Sequence, residues 1–546
     1  MKQSIINRFN KSQYYLLLIA FIFLFKTEQS KAQKHVILII ADDLGVDYCG
    51  FQEGFADTIS LPNLRSLVSR GIVFNNAMSN PLCSPTRAGI YTGRYSLRTG
   101  VGDVVTSPTA SVAVDTSEMC ISKILGLADS VIKKAQFGKW HLQAGTPSNL
   151  LNPNYMGYDK YAGNFSGALT SFYDWTKITD GISSTSNTYA TSEVTNDAIA
   201  WIQEQNALSS YFVWLGYNAP HTPYHLPPTE LITTTGLSGT VNDINTHPIP
   251  YFKASMEALD HEVGRLFDSL RVINELDNTD FIFIGDNGNG LRVSQIADSS
   301  RAKGTIYQYG VHVPMIISGP SVISPGRTSD ALVNTVDLFA TINELMGVNN
   351  WQQFISEERP VDSKSIVPIL RNEIDSIRPW SFTELFKVVS DSADGKAIRN
   401  KEYKLIRFDY GAEELYKVNG DQMELTNLLA SSLDAASQWN YNYLCNELNN
   451  LVGSGPECPV ITSLSDDEHL HESTIYPNPA DEYFNLISDH TKQAIILSIS
   501  GHACETILLK NGINNITAKQ LHDGIYIVLD EDGKAQKLIV NHSSEK

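Results

Sequence analysis

Long apolar runs rich in β-branched and aromatic residues recur along the first part of the chain. They lie at residues 35–41, 211–217, 281–284 and 313–318. Because these runs lack the polar alternation of a half-exposed strand, they predict strands buried on both faces of a parallel sheet. Amphipathic helical patterns, at 61–70 and 251–270 for example, lie between them. Strands that alternate with helices predict a layered α/β core with helices on both faces of the sheet.

Polar residues follow three of these predicted strands. Asp42 and Asp43 come directly after the first run, the loop around His221 follows the second, and Asp286 and Asn287 follow the third. Ligands of open α/β sheets bind beyond the carboxyl ends of the strands. Paired aspartates and an Asp-Asn-Gly segment are, taken singly, most often solvated turns. A shared function for these residues therefore depends on their meeting at one edge of the sheet.

The pattern changes near Trp380. Residues 396–408 and 413–417 predict short antiparallel strands of a smaller subdomain. Residues 453–473 are rich in Gly, Pro, Ser, Asp and Glu, which is typical of a linker, and the short apolar runs beyond them predict a small β-sandwich. The sequence therefore predicts five segments, with bounds at 1–32, 33–375, 376–452, 453–473 and 474–546.

The first 32 residues have the pattern of a secretory signal peptide. Lys2, Arg8 and Lys11 precede an apolar run at 14–25, and a small-x-small cleavage pattern ends at Ala32. The run is short for a bilayer span, and no cysteine follows it to carry a lipid. An uncleaved anchor is the alternative, but a cleaved signal and an exported protein are predicted.

Composition narrows the classes of function. Hydrophobic residues make up 42% of the chain and charged residues 18%, which permits a large packed core. The formal net charge is −19 and the basic residues are scattered, so nucleic acid is not expected as a partner. Local cations would have to hold any anionic substrate against this charge. Six cysteines are too few for a disulfide scaffold, although Cys445 and Cys458 could pair locally.

The most informative short segment is residues 83–94, which read CSPTRAGIYTGR. Pro85 suits the first turn of a helix and Ser84 suits its N-cap. This would place Cys83 at a helix N-terminus, where free backbone N–H groups favour an anion, with Arg87 one turn further along. Taken alone, the segment is also compatible with an ordinary buried cysteine before a helix.

Together with other motifs, this segment resembles the type I sulfatases of the alkaline phosphatase superfamily, whose signature is Cys-x-Pro-x-Arg with Thr-Gly-Arg downstream. Further motifs of that family follow in its order, namely Asp42-Asp43, Gly138-Lys139-Trp140-His141-Leu142, Pro220-His221-Thr222-Pro223, Gly285-Asp286-Asn287-Gly288 and Lys303-Gly304. The resemblance covers residues from about 35 to 430. It implies a large mixed α/β sheet flanked by helices and a smaller C-terminal subdomain with an antiparallel sheet.

The resemblance also implies one Ca²⁺ ion and a modified nucleophile. Asp42, Asp43, Asp286 and Asn287 offer hard oxygen ligands, which suit Ca²⁺, suit Mg²⁺ less well, and do not suit zinc. In the family, a formylglycine-generating enzyme oxidises the cysteine that corresponds to Cys83. In the family, one hydroxyl of the hydrated aldehyde binds the metal and attacks sulfur, which breaks the ester bond, expels the alcohol and leaves a sulfated hemiacetal. The second hydroxyl then loses its proton, so that sulfate is expelled and the aldehyde returns.

The same resemblance implies roles for the remaining polar residues. Arg87 and Lys139 would hold the formylglycine oxygens, and His141 would take the proton while sulfate leaves. His221 would protonate the leaving alcohol, and Lys303 would bind sulfate or assist that step. These cations would supply the local positive field that the net charge of the chain opposes.

Two segments depart from the usual pattern of the family. Residues 131–134 (VIKK) replace its Gly-Tyr-x-Thr, and residues 308–314 (QYGVHVP) replace its Glu-Gly-Gly-x-Arg-Val-Pro. Neither change touches the predicted metal site or nucleophile, but the sugar subclass stays open. The predicted activity is hydrolysis of a sulfate ester on a small molecule or carbohydrate. There are two alternatives. One is hydrolysis of phosphate or phosphonate esters, and the other is a catalytically silent surface protein that binds glycans.

The C-terminal segment resembles a second family, the type A sorting domain of the type IX secretion system. The resemblance rests on Tyr476-Pro477-Asn478-Pro479-Ala480, Leu521-His522-Asp523-Gly524-Ile525-Tyr526 and Lys537-Leu538-Ile539-Val540. It implies that this machinery carries the protein across the outer membrane, to the cell surface or the medium, and that the domain can be removed. An unspecialised β-sandwich or a carbohydrate-binding module is the alternative.

Overall fold

The computed structural model describes most of the chain. The described residues are 33–51, 59–106, 113–143, 149–205, 209–296, 298–456, 458, 475–476, 480–488, 490–498, 502–530 and 535–542. The predicted signal peptide and most of the predicted linker lie outside them. Within these ranges, no helix combines the length and the apolar character that a membrane crossing requires.

A ten-stranded mixed sheet forms the centre of the main domain. Its strands are β1 (His35–Ala41), β2 (Gly71–Met78), β3 (Lys133–Lys139), β4 (Lys160–Asn164), β5 (Trp175–Thr179), β6 (Ile182–Ser186), β7 (Tyr211–Gly216), β8 (Thr279–Gly285), β9 (Met315–Ser318) and β10 (Arg327–Asn334). Their spatial order is β10-β2-β9-β8-β1-β7-β3-β4-β5-β6, and the block from β8 to β4 is parallel. The four apolar runs are thus β1, β7, β8 and β9, which confirms that they are buried strands. The predicted parallel pairing was wrong for β9, which pairs antiparallel with β2 and β8.

Helices cover both faces of this sheet. Successive residues of β1 face opposite sides of the sheet, and each side packs into its own core cluster with its own helices. The helices are α1 (Pro62–Ser69), α2 (Cys83–Thr92), α3 (Ser96–Thr99), α4 (Ile121–Ala128), α5 (Asn152–Tyr155), α6 (Ala190–Gln203), α7 (Val241–Thr246), α8 (Pro248–Val272), α9 (Gln308–Val311), α10 (Leu338–Leu345), α11 (Val367–Leu370) and α12 (Ala435–Val452). One core cluster includes α2, α4 and α10, and the other includes α1, α6 and α8.

A four-stranded antiparallel sheet follows the main domain. It consists of β11 (Ser381–Leu385), β12 (Gly395–Arg399), β13 (Tyr403–Phe408) and β14 (Glu413–Lys417), in that order. Helix α12 packs against it through Leu444 and Leu448. A second cluster joins the sheet to Ile306, which lies shortly after Lys303. A disulfide joins Cys445 to Cys458, so the local pairing that the sequence left open is formed.

The last described strands form a small β-sandwich. They are β15 (Ile475–Tyr476), β16 (Tyr483–Ser488), β17 (Lys492–Ser498), β18 (Ala503–Leu509), β19 (Gly512–Thr517), β20 (Gly524–Asp530) and β21 (Ala535–Val540). Two antiparallel sheets, β15-β16-β19 and β18-β17-β20-β21, share one core that includes Phe484 and Ile496. The predicted all-β character of this segment is confirmed.

Candidate active site

Four oxygen-bearing side chains meet at the carboxyl edge of the sheet. Strands β1 and β8 are parallel neighbours and end in register, so the loops after them start side by side. The backbone N–H of Asp43 donates to Asp286 Oδ1 at 3.0 Å, and Asn287 Nδ2 donates to Asp43 Oδ1 at 2.8 Å. Together with Asp42, these side chains are buried. The structure therefore places the two predicted ligand pairs, which are remote in sequence, in one cluster.

Cys83 lies beside this cluster as the first residue of α2, and it is buried. Its Sγ atom and one carboxylate oxygen each of Asp42 and Asp286 lie within 4.8 Å of one another. Burial raises the pKa of the Cys83 thiol, although Lys139 opposes that rise. The position of this side chain against two carboxylates is the arrangement that the sequence motifs predicted.

The predicted N-cap of α2 was wrong. Leu82 precedes the helix as its N-cap, and Ser84 lies inside the first turn. The Ser84 hydroxyl donates to the carbonyl of His141 at 2.8 Å and accepts from the backbone N–H of Val105 at 3.0 Å. Because both partners belong to other segments, Ser84 ties α2 to the loops on either side instead of capping it.

Two fully buried cations pair with the carboxylates. Lys139, at the end of β3, donates from Nζ to Asp42 Oδ2 at 2.6 Å. Arg87, one turn after Cys83 in α2, donates to Asp286 Oδ2 from Nη2 at 2.9 Å and from Nε at 3.2 Å. Both cations are screened from solvent, so their charges act at low effective dielectric on whatever binds beside them.

Lys303 and His221 approach the cluster from its more open side. Lys303 Nζ donates to Asp43 Oδ1, and His221 Nε2 lies 3.6 Å from Asp43 Oδ2. The prolyl bonds of Pro220 and Pro223, which flank His221, are both cis. Asp43 itself has φ of 65°, a backbone region that residues other than glycine rarely adopt and that is common at functional sites.

His141 also has a positive φ, at 54°. Its Nδ1 atom is buried and makes no hydrogen bond within the described part of the chain. Burial, and then the nearby charge of Lys139, lower the pKa of His141 well below its usual value. Gly167 lies against this ring, since a Cβ built on Gly167 would stand only 2.6 Å from His141 Cε1 and Nε2. A glycine at 167 therefore permits the observed position of the imidazole.

The three clustered carboxylates have opposing pKa shifts. Burial alone would raise the pKa of Asp42, but the positive charges of Lys139, His221 and Arg87 outweigh it and hold the pKa far below its usual value. Burial and the neighbouring Asp42 carboxylate raise the pKa of Asp286 to about 6. Such crowding of like charges is unfavourable without further positive charge, and a metal ion would supply it.

The donor atoms of this cluster fit a hard divalent cation. Asp42 Oδ1 and Asn287 Oδ1 are buried and accept no hydrogen bond from any described residue. An unpartnered buried oxygen costs free energy, unless it serves as a ligand to an ion that the protein binds. Carboxylate and amide oxygens are the ligands that Ca²⁺ and Mg²⁺ prefer. Asp42, Asp43, Asp286 and Asn287 could therefore hold such an ion next to Cys83.

A cavity of about 550 Å³ opens onto the cluster. Cys83, His141, His221 and Lys303 line one part of it. The rest of the described lining, called here the neutral wall, consists of residues 104–106, 165–168, Thr176 and Ile178. Sequence reasoning missed this wall, because its small and apolar residue types carry no motif. The ten predicted site residues, in contrast, all come together at this edge of the sheet.

Family models match almost the whole of the described chain. Residues 34–348 match the model of the sulfatases, and residues 301–451 match that of the C-terminal region of N-sulphoglucosamine sulphohydrolase. Residues 474–541 match the C-terminal sorting domain of a secretion system. The first match covers more than half of the chain and includes every predicted site residue.

Individual relatives agree with these matches. The chain is 26% identical over 505 residues to a sulfatase of Formosa agariphila, covering 76% of this chain and 89% of that protein. It is 26% identical over 368 residues to the N-acetylgalactosamine-6-sulfatase of Mus musculus, covering 62% of this chain and 66% of that one. The crystal structure of Ps i-CgsB in complex with a neocarrahexaose has a TM-score of 0.64 at 23% identity, covering 77% of this chain and 93% of that chain. This last likeness shows the alkaline phosphatase-like fold.

Proposed function

Because this chain belongs to the sulfatase family and is a sulfuric ester hydrolase, we propose that it hydrolyses sulfate monoesters of a carbohydrate with an oxidised Cys83 and Ca²⁺. The observation that carries this proposal is the meeting of Cys83 with Asp42 and Asp286 within 4.8 Å. Relatives named for a sulfated sugar or for endo-4-O-sulfatase activity support a carbohydrate substrate.

Asp42, Asp43, Asp286 and Asn287 are the proposed metal ligands, together with the side chain at position 83. A bound Ca²⁺ ion would polarise a sulfate oxygen and stabilise negative charge at the reacting centre. The unpartnered oxygens of Asp42 and Asn287 support this assignment. In this proposal the carboxylates have two tasks, since they bind the ion and also orient Lys139 and Arg87 through the hydrogen bonds described above.

We further propose that Cys83 is converted to formylglycine by a maturation enzyme. A thiol is a soft ligand and would be a poor partner for a hard cation, whereas the oxygens of a hydrated aldehyde match it. Arg87 and Lys139 would hold those oxygens by charge-assisted hydrogen bonds. His141, which lines the cavity with Cys83, would accept a proton from the side chain at position 83.

Two groups on the open side of the site would act on the substrate. His221 would donate a proton to the oxygen of the leaving alcohol, for which a histidine is suited near neutral pH. Lys303 would bind a sulfate oxygen through Nζ. Both residues line the same cavity as Cys83, which supports a substrate position between them.

The C-terminal sorting domain indicates export through the type IX secretion system. A protein that leaves the cell meets polymers and fragments in the medium, so we propose an extracellular sulfated carbohydrate as the substrate. The predicted signal peptide at 1–32 would direct the first membrane crossing. We propose that residues 33–375 and 376–452 are the two subdomains of the enzyme, and that residues 474–546 are its sorting domain.

Mass spectrometry of the peptide that contains Cys83 tests the proposal directly. Protein from a host with a formylglycine-generating enzyme should show the aldehyde at position 83, and it should hydrolyse 4-nitrophenyl sulfate much faster than 4-nitrophenyl phosphate. The same protein from a host without that enzyme should retain the thiol and be inactive. Activity of the thiol form, or a preference for the phosphate ester, would contradict the proposed chemistry.

A further inference from the structure

The neutral wall leaves no cation for a second anionic group of the substrate. Among the described residues that line the cavity, Lys303 and the two histidines are the basic ones, and all three belong to the proposed reacting centre. The neutral wall offers hydroxyl groups, backbone groups and apolar surface. An anionic group placed there would lose hydration without gaining a charged partner.

Lys177, which lies in the same strand as two residues of the wall, is turned away from the cavity. In β5, Thr176 and Ile178 line the cavity, and Lys177 is the residue between them. Because successive side chains of a strand face opposite sides, Lys177 points to the other face of the sheet. There it donates to Glu193 Oε1 at 2.6 Å and to Asp197 Oδ1 at 2.9 Å, so it is held by two carboxylates.

Two of the segments that supply the wall also contain no charged residue. Residues 104–106 and 161–173 contain no Lys, Arg, Asp or Glu, although 18% of the whole chain is charged. Phe165 and Ile178 add apolar surface to the wall, and both side chains are nearly buried. Aromatic and aliphatic surfaces of this kind suit the apolar face of a sugar ring.

From this wall we infer the substrate class: the sulfated residue is a neutral sugar that carries no carboxylate and no second sulfate near the scissile ester. The inference rests on the proposed function and specifies which class of sugar is released as the alcohol product. In the proposed reaction Lys303 binds the sulfate that is cleaved and His221 faces the leaving oxygen, so neither group is left for a second anionic group. A uronate on the same ring would face uncharged side chains and the net charge of −19.

Matched substrates test this inference. The probes are methyl galactoside and methyl galacturonoside sulfated at the same hydroxyl, one pair for each of the 2-, 3- and 4-positions. For the pair that is turned over, we expect kcat/KM to favour the neutral sugar by at least about tenfold, the scale on which one unpaired polar or charged group discriminates. A ratio near one, or a preference for the uronate, would overturn the inference.

A charge-adding variant sharpens the test. Thr176→Lys places a cation on the exposed cavity side of β5, and it should lower the preference at least about threefold by improving turnover of the uronate. Ser184→Lys adds the same charge on β6 directly opposite Lys177, on the face that points away from the cavity, and it should leave the ratio unchanged. If Thr176→Lys also leaves the ratio unchanged, the wall does not set the preference.

Failure of the proposed function gives a different result. If the protein with the aldehyde at position 83 hydrolyses neither 4-nitrophenyl sulfate nor any sugar sulfate, the proposed reaction fails. Calorimetric binding of each pair to Cys83→Ala then still tests the substrate class, because binding requires no turnover. Tighter binding of the neutral member supports the inference, and equal or weaker binding rejects it.

Discussion

Two buried clusters of carboxylates and cations in the main domain differ in how completely they are hydrogen-bonded. In the Asp337 cluster, Asp337 accepts backbone N–H groups from Asn334 at 2.8 Å and from Lys364 at 2.9 Å. Arg378 Nη2 also donates to Asp337, and Arg378 Nη1 donates to Tyr95 Oη at 2.8 Å. Both carboxylate oxygens thus have partners, and one cation balances one anion.

The active-site cluster is organised differently. Three carboxylates crowd together there, and Asp42 Oδ1 and Asn287 Oδ1 accept no hydrogen bond from the described residues. The Asp337 carboxylate has no unpartnered oxygen left to bind a ligand, so its role is structural. A cluster that leaves buried oxygens unpartnered is unfavourable by itself. Here those oxygens belong to the cluster around Cys83, which lines a cavity, and this distinguishes the active-site cluster from that of Asp337.

The strongest test of this difference is the nucleophile. Cys83→Ala should lower turnover by about 100,000-fold or more, the scale of removing a catalytic nucleophile, while the thermal unfolding midpoint changes little. Cys120→Ala is the matched control, because Cys120 is also buried but its thiol donates to the Met156 carbonyl. Sulfate release measured on both purified variants decides the point, and substantial turnover by Cys83→Ala would refute the assignment.

Removal of the proposed ion should have the next largest effect. Chelation of the active protein, or Asp286→Ala, should lower kcat/KM by at least about 1,000-fold, since Lewis-acid stabilisation is worth several kcal/mol. Added Ca²⁺ should restore the chelated wild type but not the variant. Full activity after exhaustive chelation, with metal content checked by elemental analysis, would exclude a metal role for these residues.

The Asp337 cluster should respond in the opposite way. Asp337→Asn leaves the Arg378 charge buried without its partner, and it should lower the free energy of unfolding by about 3–5 kcal/mol. The activity per folded molecule should stay unchanged, because no described cavity-lining residue of the active site belongs to this cluster. Denaturant unfolding combined with active-site titration separates the two effects. A loss of specific activity in the folded fraction would contradict a purely structural role.

The smallest expected effect concerns the position of His141. Gly167→Ala adds a Cβ at 2.6 Å from the imidazole, so the ring must move, and we expect kcat to fall about tenfold with KM nearly unchanged. Gly126→Ala is the control, since its Cβ would lie 3.4 Å from the flexible end of Lys134 within α4, where alanine favours a helix. Equal kcat values for the two variants would show that Gly167 does not position His141.

Much of the fold was predicted from local pattern, with small errors that have physical causes. The run at 313–318 becomes a strand only from Met315, because Pro314 cannot donate a hydrogen bond to the sheet. The helix predicted at 251–270 extends to Pro248–Val272, since proline is favourable in the first turn. The Ser84 cap failed because that hydroxyl finds partners in other segments, which a local pattern does not contain.

The sequence by itself determined the chemistry that the site can offer. Burial of a strand is encoded in consecutive apolar residues, and the types of the polar residues that follow it determine which ligands and proton donors are present. Cys83, the two Asp-containing pairs and the cations could therefore be predicted from their motifs, before any contact between them was known.

Only the tertiary structure decided what surrounds that chemistry. The neutral wall, the contact of Gly167 with His141 and the outward turn of Lys177 all depend on which segments pack together. Small and apolar residues have no chemical signature of their own, because they act by excluding charge and volume. Their effect on a substrate exists only once folding has placed them around the reacting atoms.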